Sequence, residues 1–311
     1  MPAPRLPNTP LRTSKQNLKR NKTFVRYCIN MDQELILNVS CPDKPGITYA
    51  ITGLLASVGG NILESQQFND AESGLFFVRI RAFIPGGRET IAAAFAQLAH
   101  NFSMTYSIAE ATKPMRTLIM ASKEPHCLSD LLAKHHDGRL PIEVTAVVAN
   151  HEDLRPLAEF YNVPFHYVPI TPETKPQAEA ELMRIVEETS TELVVLARYM
   201  QILSPALTER MAGNIINIHH SFLPSFKGAR PYEQAYRRGV KLIGATAHYV
   251  NADLDEGPII EQDVARVTHA ETPTQLKARG AEVERAVLSR AVLWHAEHRI
   301  LMNGSRTVVF S

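Results

Sequence analysis

Between Met115 and Ile218, short apolar runs alternate with stretches of helical period, and this alternation limits the possible folds more than any other feature of the chain. Met115–Ser122, Ile142–Asn150, Pro164–Val168, Leu193–Ala197 and Asn214–Ile218 read as strands. Leu128–His136, Asp153–Tyr161 and residues 177–188 read as helices. Strands that alternate with helices build βαβ units, which give a parallel sheet with helices on both faces. No GxGxxG string follows the first of these strands, so the reading excludes NAD and FAD. Two further strands are expected at Leu242–Val250 and Ile259–Val264, joined by a turn held rigid by Gly257-Pro258.

Upstream, the pattern differs. Leu35, Leu37 and Val39 alternate with polar residues, as in a half-buried strand. Ile47, Ala50, Ile51, Leu54, Leu55 and Val58 recur at helical spacing, and Gly59-Gly60 ends that helix. Ile62–Phe68 and Leu75–Ile84 read as strands, residues 88–101 as an Ala-rich helix, and Ser103–Ala109 as a last strand. The order βαββαβ is the ferredoxin-like arrangement. Lys113-Pro114 reads as a short linker, so a domain over 34–111 is expected to precede one over 115–311.

Residues 1–30 carry seven basic residues and no acidic ones, with prolines at 2, 4, 7 and 10 and no apolar core of a secretory signal. Residues 1–33 are therefore expected to be a disordered basic tail. A presequence, or upstream sequence ahead of a start at Met31, are the alternatives.

Composition narrows the function classes. Lys plus Arg is 33 and Asp plus Glu is 32, so no excess charge points to nucleic acid or an anionic membrane as partner. The longest apolar run, Leu193–Leu203, is interrupted by Arg198 and Gln201 and falls short of the roughly 20 residues of a membrane helix. Cys28, Cys41 and Cys127 lack CxxC spacing and read as free thiols of a reducing, cytoplasmic compartment. The twelve histidines include no HxH or HExxH grouping; His295 and His298 read as a solvated helical pair, and no metal is expected.

The candidate chemistry lies at the end of the Asn214–Ile218 strand. Residues two apart in an extended segment point the same way, so Asn217 and His219 project from one face at the carboxyl end of a parallel strand, where such sheets bind ligands. Asp255 lies in the turn before Gly257-Pro258. An amide, an imidazole and a carboxylate in one place suit acyl-group chemistry: the first two hold a developing oxyanion, and the carboxylate takes a proton from water or raises the imidazole pKa. No Ser or Cys occupies a nucleophile elbow, so no covalent intermediate is indicated. His220 reads as a wall of the site. Either Asp255 or His219 could move the proton.

Asn217-x-His219-x-Ser221-x-Leu223-Pro224, then Asp255-x-Gly257-Pro258-Ile259, together with Ala197–Pro205 (ARYMQILSP), resembles the folate-dependent formyltransferase family. By that resemblance, Asn217 and His219 bind and polarise the formyl carbonyl of 10-formyltetrahydrofolate. Met200, Gln201, Ile202, Leu203, Val250 and Asp253 line the pterin pocket, and the domain is Rossmann-like. The string Cys41–Ile47 with Gly60-Asn61-Ile62 resembles the ACT domain, an effector-binding module. There Asp43, Gly46, Ile47 and Asn61 would hold a small amino acid, with glycine or methionine the candidates implied.

The first βα turn, Ser122–Leu128, has no glycine and carries Glu124 and Pro125, which suits no phosphate cradle and would repel an anionic ribonucleotide. A basic RNA-binding C-terminal domain is also missing from the sequence. An ACT domain ahead of such a catalytic domain, with the string HHSFLPSFKGARPYEQAY, resembles the formyltetrahydrofolate deformylase family. The resemblance implies hydrolysis of 10-formyltetrahydrofolate to formate and tetrahydrofolate without a cofactor, supplying formate for purine synthesis and balancing one-carbon folate pools. It also implies a homo-oligomer, dimer or tetramer. A formyl transferase acting on an amine such as glycinamide ribonucleotide is the alternative, and a non-catalytic amino-acid sensor a remote one.

Overall fold

The structure is a computed structural model that describes residues 33–223 and 231–311. The basic N-terminal tail and the Pro224–Arg230 stretch of the HHSFLPSFKGARPYEQAY string lie outside the described residues.

The first sheet has four strands in the order β2-β3-β1-β4, built from β1 (Gln33–Pro42), β2 (Asn61–Asp70), β3 (Leu75–Ile84) and β4 (Thr105–Glu110). The helices α1 (Ile47–Ser57) and α2 (Gly87–Phe102) complete the βαββαβ order. α1 starts after Gly46, whose φ of 93° lies in the left-handed region that favours glycine. Its buried residues, Ile47, Ile51 and Leu55, fall one helical turn apart and form one stripe. β1 departs from the alternation expected of it. Leu35 through Val39 are all buried, Ile36 among them, and β1 lies inside the sheet between β3 and β4.

The second sheet has seven strands in the order β11-β10-β9-β8-β5-β6-β7. These are β5 (Met115–Ala121), β6 (Ile142–Ala149), β7 (Phe165–Tyr167), β8 (Leu193–Leu196), β9 (Ile215–His219), β10 (Leu242–Tyr249) and β11 (Ile259–Arg266). β5 to β9 pair in parallel, whereas β10 and β11 run antiparallel. The sheet is thus mostly parallel with an antiparallel edge. Helices α3 (His126–His136), α4 (Arg155–Phe160), α5 (Lys175–Glu188), α6 (Pro205–Arg210), α7 (Pro231–Arg238) and α8 (Pro273–Ala296) surround it, and a hairpin of β12 (Ile300–Asn303) and β13 (Arg306–Val309) ends the chain.

Two apolar layers sandwich this sheet. One joins Ile119, Val147, Ile216 and Ile218 to Leu128 of α3 and Val287 and Leu288 of α8. The other joins Leu118, Met120, Ala146 and Ile215 to Leu182 and Ile185 of α5 and Leu207 of α6. Ile216 and Ile218 therefore face one layer, and Ile215 the other. The period of two carries Asn217 and His219 to the same side as Ile215.

Helix bounds shift by one or two residues from the sequence expectation, with α4 at Arg155–Phe160 and α5 at Lys175–Glu188. α3 begins at His126 rather than Leu128. α8, 24 residues long, opens on a capping box in which the Thr272 side chain accepts from the Gln275 N–H while the Gln275 side chain accepts from the Thr272 N–H. α8 ends at Ala296, so His298 lies beyond it with φ 52°. The expected solvated pair is therefore corrected: His295 Nδ1 lies 2.7 Å from the Tyr249 hydroxyl, and burial pushes its pKa down to about 4.

By contacts the chain forms two compact units, one ending at Ser65 and resuming over Ile80–Glu110, the other comprising Gln66–Arg79 and Ala111–Ser311.

Candidate active site

A cavity of about 210 Å³ opens where the ends of β8 and β9 meet the loop between β10 and β11. Asn217, His219 and Asp255 all line it, as do Met200, Gln201, Ile202, Leu203, Val250 and Asp253. The structure thus brings together every catalytic and folate-binding candidate of the second sheet. Met200 and Ile202 are more than half exposed, leaving apolar surface for a flat ligand ring, whereas Leu203 is packed into the core.

Backbone geometry places the carboxylate. Tyr249 N–H donates to the Pro258 carbonyl at 2.9 Å and so closes the loop that carries Asp255. A Cβ on Gly257 would lie 1.7 Å from the Tyr249 carbonyl oxygen, so only glycine fits the closure. Asp255 itself adopts φ 57°, a left-handed conformation that costs roughly 1 kcal/mol or more for a residue with a side chain.

Asp255 Oδ1 accepts from His219 Nδ1 at 3.2 Å and faces His248 Nε2 at 3.7 Å. The hydrogen bond from His219, its largest influence, outweighs burial and holds the Asp255 carboxyl well below the usual carboxylate range. With Nδ1 committed to Asp255, His219 keeps Nε2, a buried atom that meets no hydrogen-bond partner among the described residues. An unpaired buried polar atom on a residue lining a cavity is costly unless a ligand completes it.

Sequence reasoning missed His248. It lies directly opposite Asn217 in the β9–β10 register. Its Nδ1 donates to the Tyr249 carbonyl at 2.9 Å, so in the neutral ring Nε2 accepts from Asn217 Nδ2 at 3.1 Å. That bond fixes the Asn217 amide and leaves its second N–H and its carbonyl oxygen for a ligand. The signal was faint: a histidine at an alternate position of a strand whose partner strand carries Asn217.

His220 stacks on His219 with ring centroids 5.1 Å apart. Burial, then the Arg198 charge and His219, push its pKa down to about 4, so it is a neutral wall of the cavity. Arg198 also lines the cavity and was missed as a site residue.

The turn after β5 differs from its sequence reading in two respects. Ser122 accepts from the Met200 N–H at 3.0 Å and donates to Asn150 Oδ1 at 2.7 Å, so it braces the folate-lining segment. Glu124 pairs with Lys277 at 2.7 Å, which offsets the repulsive charge expected of it. Ser122–Leu128 is not among the residues that line this cavity.

One group among the described residues has metal-ligand spacing: His126, Cys127 and Glu284. Its donors are already engaged, because His126 Nε2 and Glu284 Oε2 share a hydrogen bond at 2.7 Å and the Tyr232 hydroxyl donates to Glu284 Oε1 at 2.6 Å. Burial pushes the Cys127 thiol well up, away from the thiolate a metal needs. The Arg198 guanidinium 3.5 Å from Glu284 adds a positive charge that opposes a cation.

In the first sheet, Gly46 holds the left-handed start of α1, with open space for 4 Å around the position a methyl group would take. The Ile47 side chain is 2% exposed and belongs to the interior, which leaves its backbone N–H as the group able to meet a ligand. Asp43 and Asn61 are exposed.

Comparison with known proteins agrees with both halves. Residues 115–292 match the formyl transferase family and residues 33–108 the ACT domain. These matches define the class: a formyltransferase-fold chain with an ACT module. More narrowly, the chain is 48% identical over 277 residues to the formyltetrahydrofolate deformylase of Corynebacterium sp. (strain P-1), a match covering 88% of this chain and 97% of that one. The crystal structure of formyltetrahydrofolate deformylase from Burkholderia mallei superposes with a TM-score of 0.86 at 47% identity, over 90% of this chain and all of that one. The chain belongs to the formyltetrahydrofolate deformylase family. Glycinamide ribonucleotide transformylase 1 from Symbiobacterium toebii is more distant, at 28% identity and TM-score 0.60, and matches 64% of this chain and 95% of that one. Among the described residues no helix is long and apolar enough to cross a membrane.

Proposed function

We propose that this chain hydrolyses 10-formyltetrahydrofolate to formate and tetrahydrofolate at the Asn217–His219–Asp255 cavity. The observation that carries the reading is the His219–Asp255 pair beside a fixed amide, with His219 Nε2 unpartnered among the described residues. The pterin ring lies against Met200–Leu203, Val250 and Asp253. The free N–H of Asn217 and a proton on His219 Nε2 hold the formyl oxygen as water attacks the carbon.

Both histidine contacts fall on Asp255 Oδ1, which leaves Oδ2 as the proton acceptor. A carboxylate this acidic does not deprotonate free water. It takes the proton as the new O–C bond forms and the attacking oxygen becomes acidic. The tetrahedral intermediate then breaks its C–N10 bond as N10 receives a proton from the pair.

No cofactor enters this scheme, so EDTA leaves the rate unchanged. Regulation and setting follow from the same reading. An amino acid such as glycine or methionine binds the ACT unit near Gly46, the enzyme is a cytoplasmic homo-oligomer, and its formate feeds purine synthesis. Formate and tetrahydrofolate should appear in equal amounts from 10-formyltetrahydrofolate and enzyme alone. Unchanged substrate under saturating conditions, with and without EDTA, contradicts the proposal.

A further inference from the structure

Arg198 stands between β8 and the folate-lining segment with φ 63°, a left-handed backbone that a residue with a side chain adopts at a cost. Observed strain of this kind points to a function for the side chain it positions. The side chain is 11% exposed. Its Nε lies 3.5 Å from Glu284 Oε2, within ion-pair reach but without hydrogen-bond geometry, and both Nε and Nη1 are buried without a hydrogen-bond partner among the described residues.

Glu284, in contrast, is saturated. Its two oxygens are taken by His126 and Tyr232, and it is 1% exposed on α8. The guanidinium is therefore anchored from behind by charge, while Nε and Nη1 meet no hydrogen-bond partner among the described residues. A buried cation with idle donors at the edge of a cavity is complementary to an anion with a planar pair of acceptors.

We infer that Arg198 is the formate-binding residue of this site, its guanidinium receiving the carboxylate that hydrolysis creates. The inference rests on the hydrolase reading above. Water adds to the formyl carbon, the C–N10 bond breaks, N10 keeps one proton, and the released formic acid loses its remaining proton to leave HCOO⁻. Transfer of the formyl group to an amine would create a neutral formamide and no carboxylate. A guanidinium lining the same cavity as His219 and His220 thus matches the hydrolytic product and not the transfer product. Glu284 behind it shares the positive charge and keeps the hold on formate weak enough for release. The glutamate tail of the folate is the other possible carboxylate, and the kinetic split separates the two.

The test uses the full chain, with sodium formate as product inhibitor and sodium chloride at equal ionic strength as control. Three forms are compared with the unaltered protein: Arg198→Gln, Arg198→Lys and the double variant Arg198→Gln with Glu284→Gln. The double variant removes both charges, so it leaves no lone buried carboxylate to unfold the chain. The expected result is a formate inhibition constant raised at least about tenfold in both glutamine forms and less in the lysine form. The kcat falls roughly 10–100-fold, and the KM for 10-formyltetrahydrofolate stays within about threefold. An unchanged formate constant in the folded double variant overturns the assignment. A raised KM with unchanged kcat and formate inhibition also overturns it and places the folate glutamate there instead. If the unaltered chain shows no hydrolysis, the hydrolase reading fails by itself. Line broadening of ¹³C-formate in the presence of tetrahydrofolate then still decides: loss of broadening in the double variant supports the site, and equal broadening rejects it.

Discussion

Asp255 and Glu284 are both carboxylates withdrawn from water beside histidine, yet their surroundings differ in what is left unspent. Glu284 sits in mid-helix and accepts from His126 at 2.7 Å and Tyr232 at 2.6 Å, one partner on each oxygen. Burial alone would raise its pKa, but His126, Arg198 and Tyr232 together hold it below the ordinary range. Asp255 sits in a loop with φ 57° and presents one oxygen to two histidines. Around Glu284 the carboxylate is complete. Around Asp255 it is not, and His219 Nε2 meets no partner among the described residues. A finished polar network rigidifies a fold, whereas an unfinished one lining a cavity marks where a ligand completes it.

Substitution separates the two carboxylates. Asp255→Asn should lower turnover by roughly 10²–10⁴-fold, with folate binding retained, and His219→Ala by a similar factor. Steady-state kinetics with a parallel folate-binding titration checks both. Near-normal turnover in Asp255→Asn would place the proton transfer elsewhere. Glu284→Ala should instead act on stability, by about 3–5 kcal/mol in urea unfolding, since it strands Arg198, His126 and Tyr232 in the interior. A loss of less than about 1 kcal/mol would show that this network contributes little.

A smaller effect is expected from pH. His220 and His295 have folded pKa values of about 4, mainly from burial, against 6.5 when free. Below pH 6.5 the unfolded chain binds protons that the folded chain refuses until pH 4, so stability falls as pH drops across that window. The size is on the order of 1–3 kcal/mol per histidine. Asp255 acts in the same direction at lower pH: its depressed pKa supplies stability that is complete above the ordinary carboxylate range and is lost as pH falls from that range to the depressed value. Urea midpoints between pH 7 and pH 4 measure the slope, and His220→Gln should flatten it. Equal midpoints at both ends would mean that these rings are hydrated.

The smallest effect concerns the first sheet. Gly46→Ala forces a methyl-bearing residue to φ 93°, a strain of about 1 kcal/mol, without any steric neighbour. The response to glycine or methionine should weaken more than basal turnover. Equal loss of both would indicate a folding defect.

Much of the site was legible in the sequence because its parts are local. The period of two in β9 put Asn217 and His219 on one side, and Gly257-Pro258 announced the turn that carries Asp255. The rest depends on pairings that no local pattern encodes. His248 meets Asn217 only through the antiparallel register of β9 and β10. Arg198 and Glu284 are joined by the packing of α8, whose start was readable from Thr272, Pro273 and Gln275 but whose polar composition hid its buried face. The continuous burial of β1 agrees with its own residues, since Ile36 makes Leu35–Leu37 an unbroken apolar run that a strict alternation overlooks. The charge of Glu124 looked repulsive because Lys277, far along the chain, is invisible to local reading.

Water as the acceptor is the central claim, and one measurement addresses it directly. Unaltered enzyme is given 10-formyltetrahydrofolate with and without glycinamide ribonucleotide, and both formate and formylated ribonucleotide are quantified. Formate should be released at the same rate in both mixtures, equimolar with tetrahydrofolate, with no formylated ribonucleotide. Stoichiometric transfer of the formyl group to the amine would contradict the hydrolase reading.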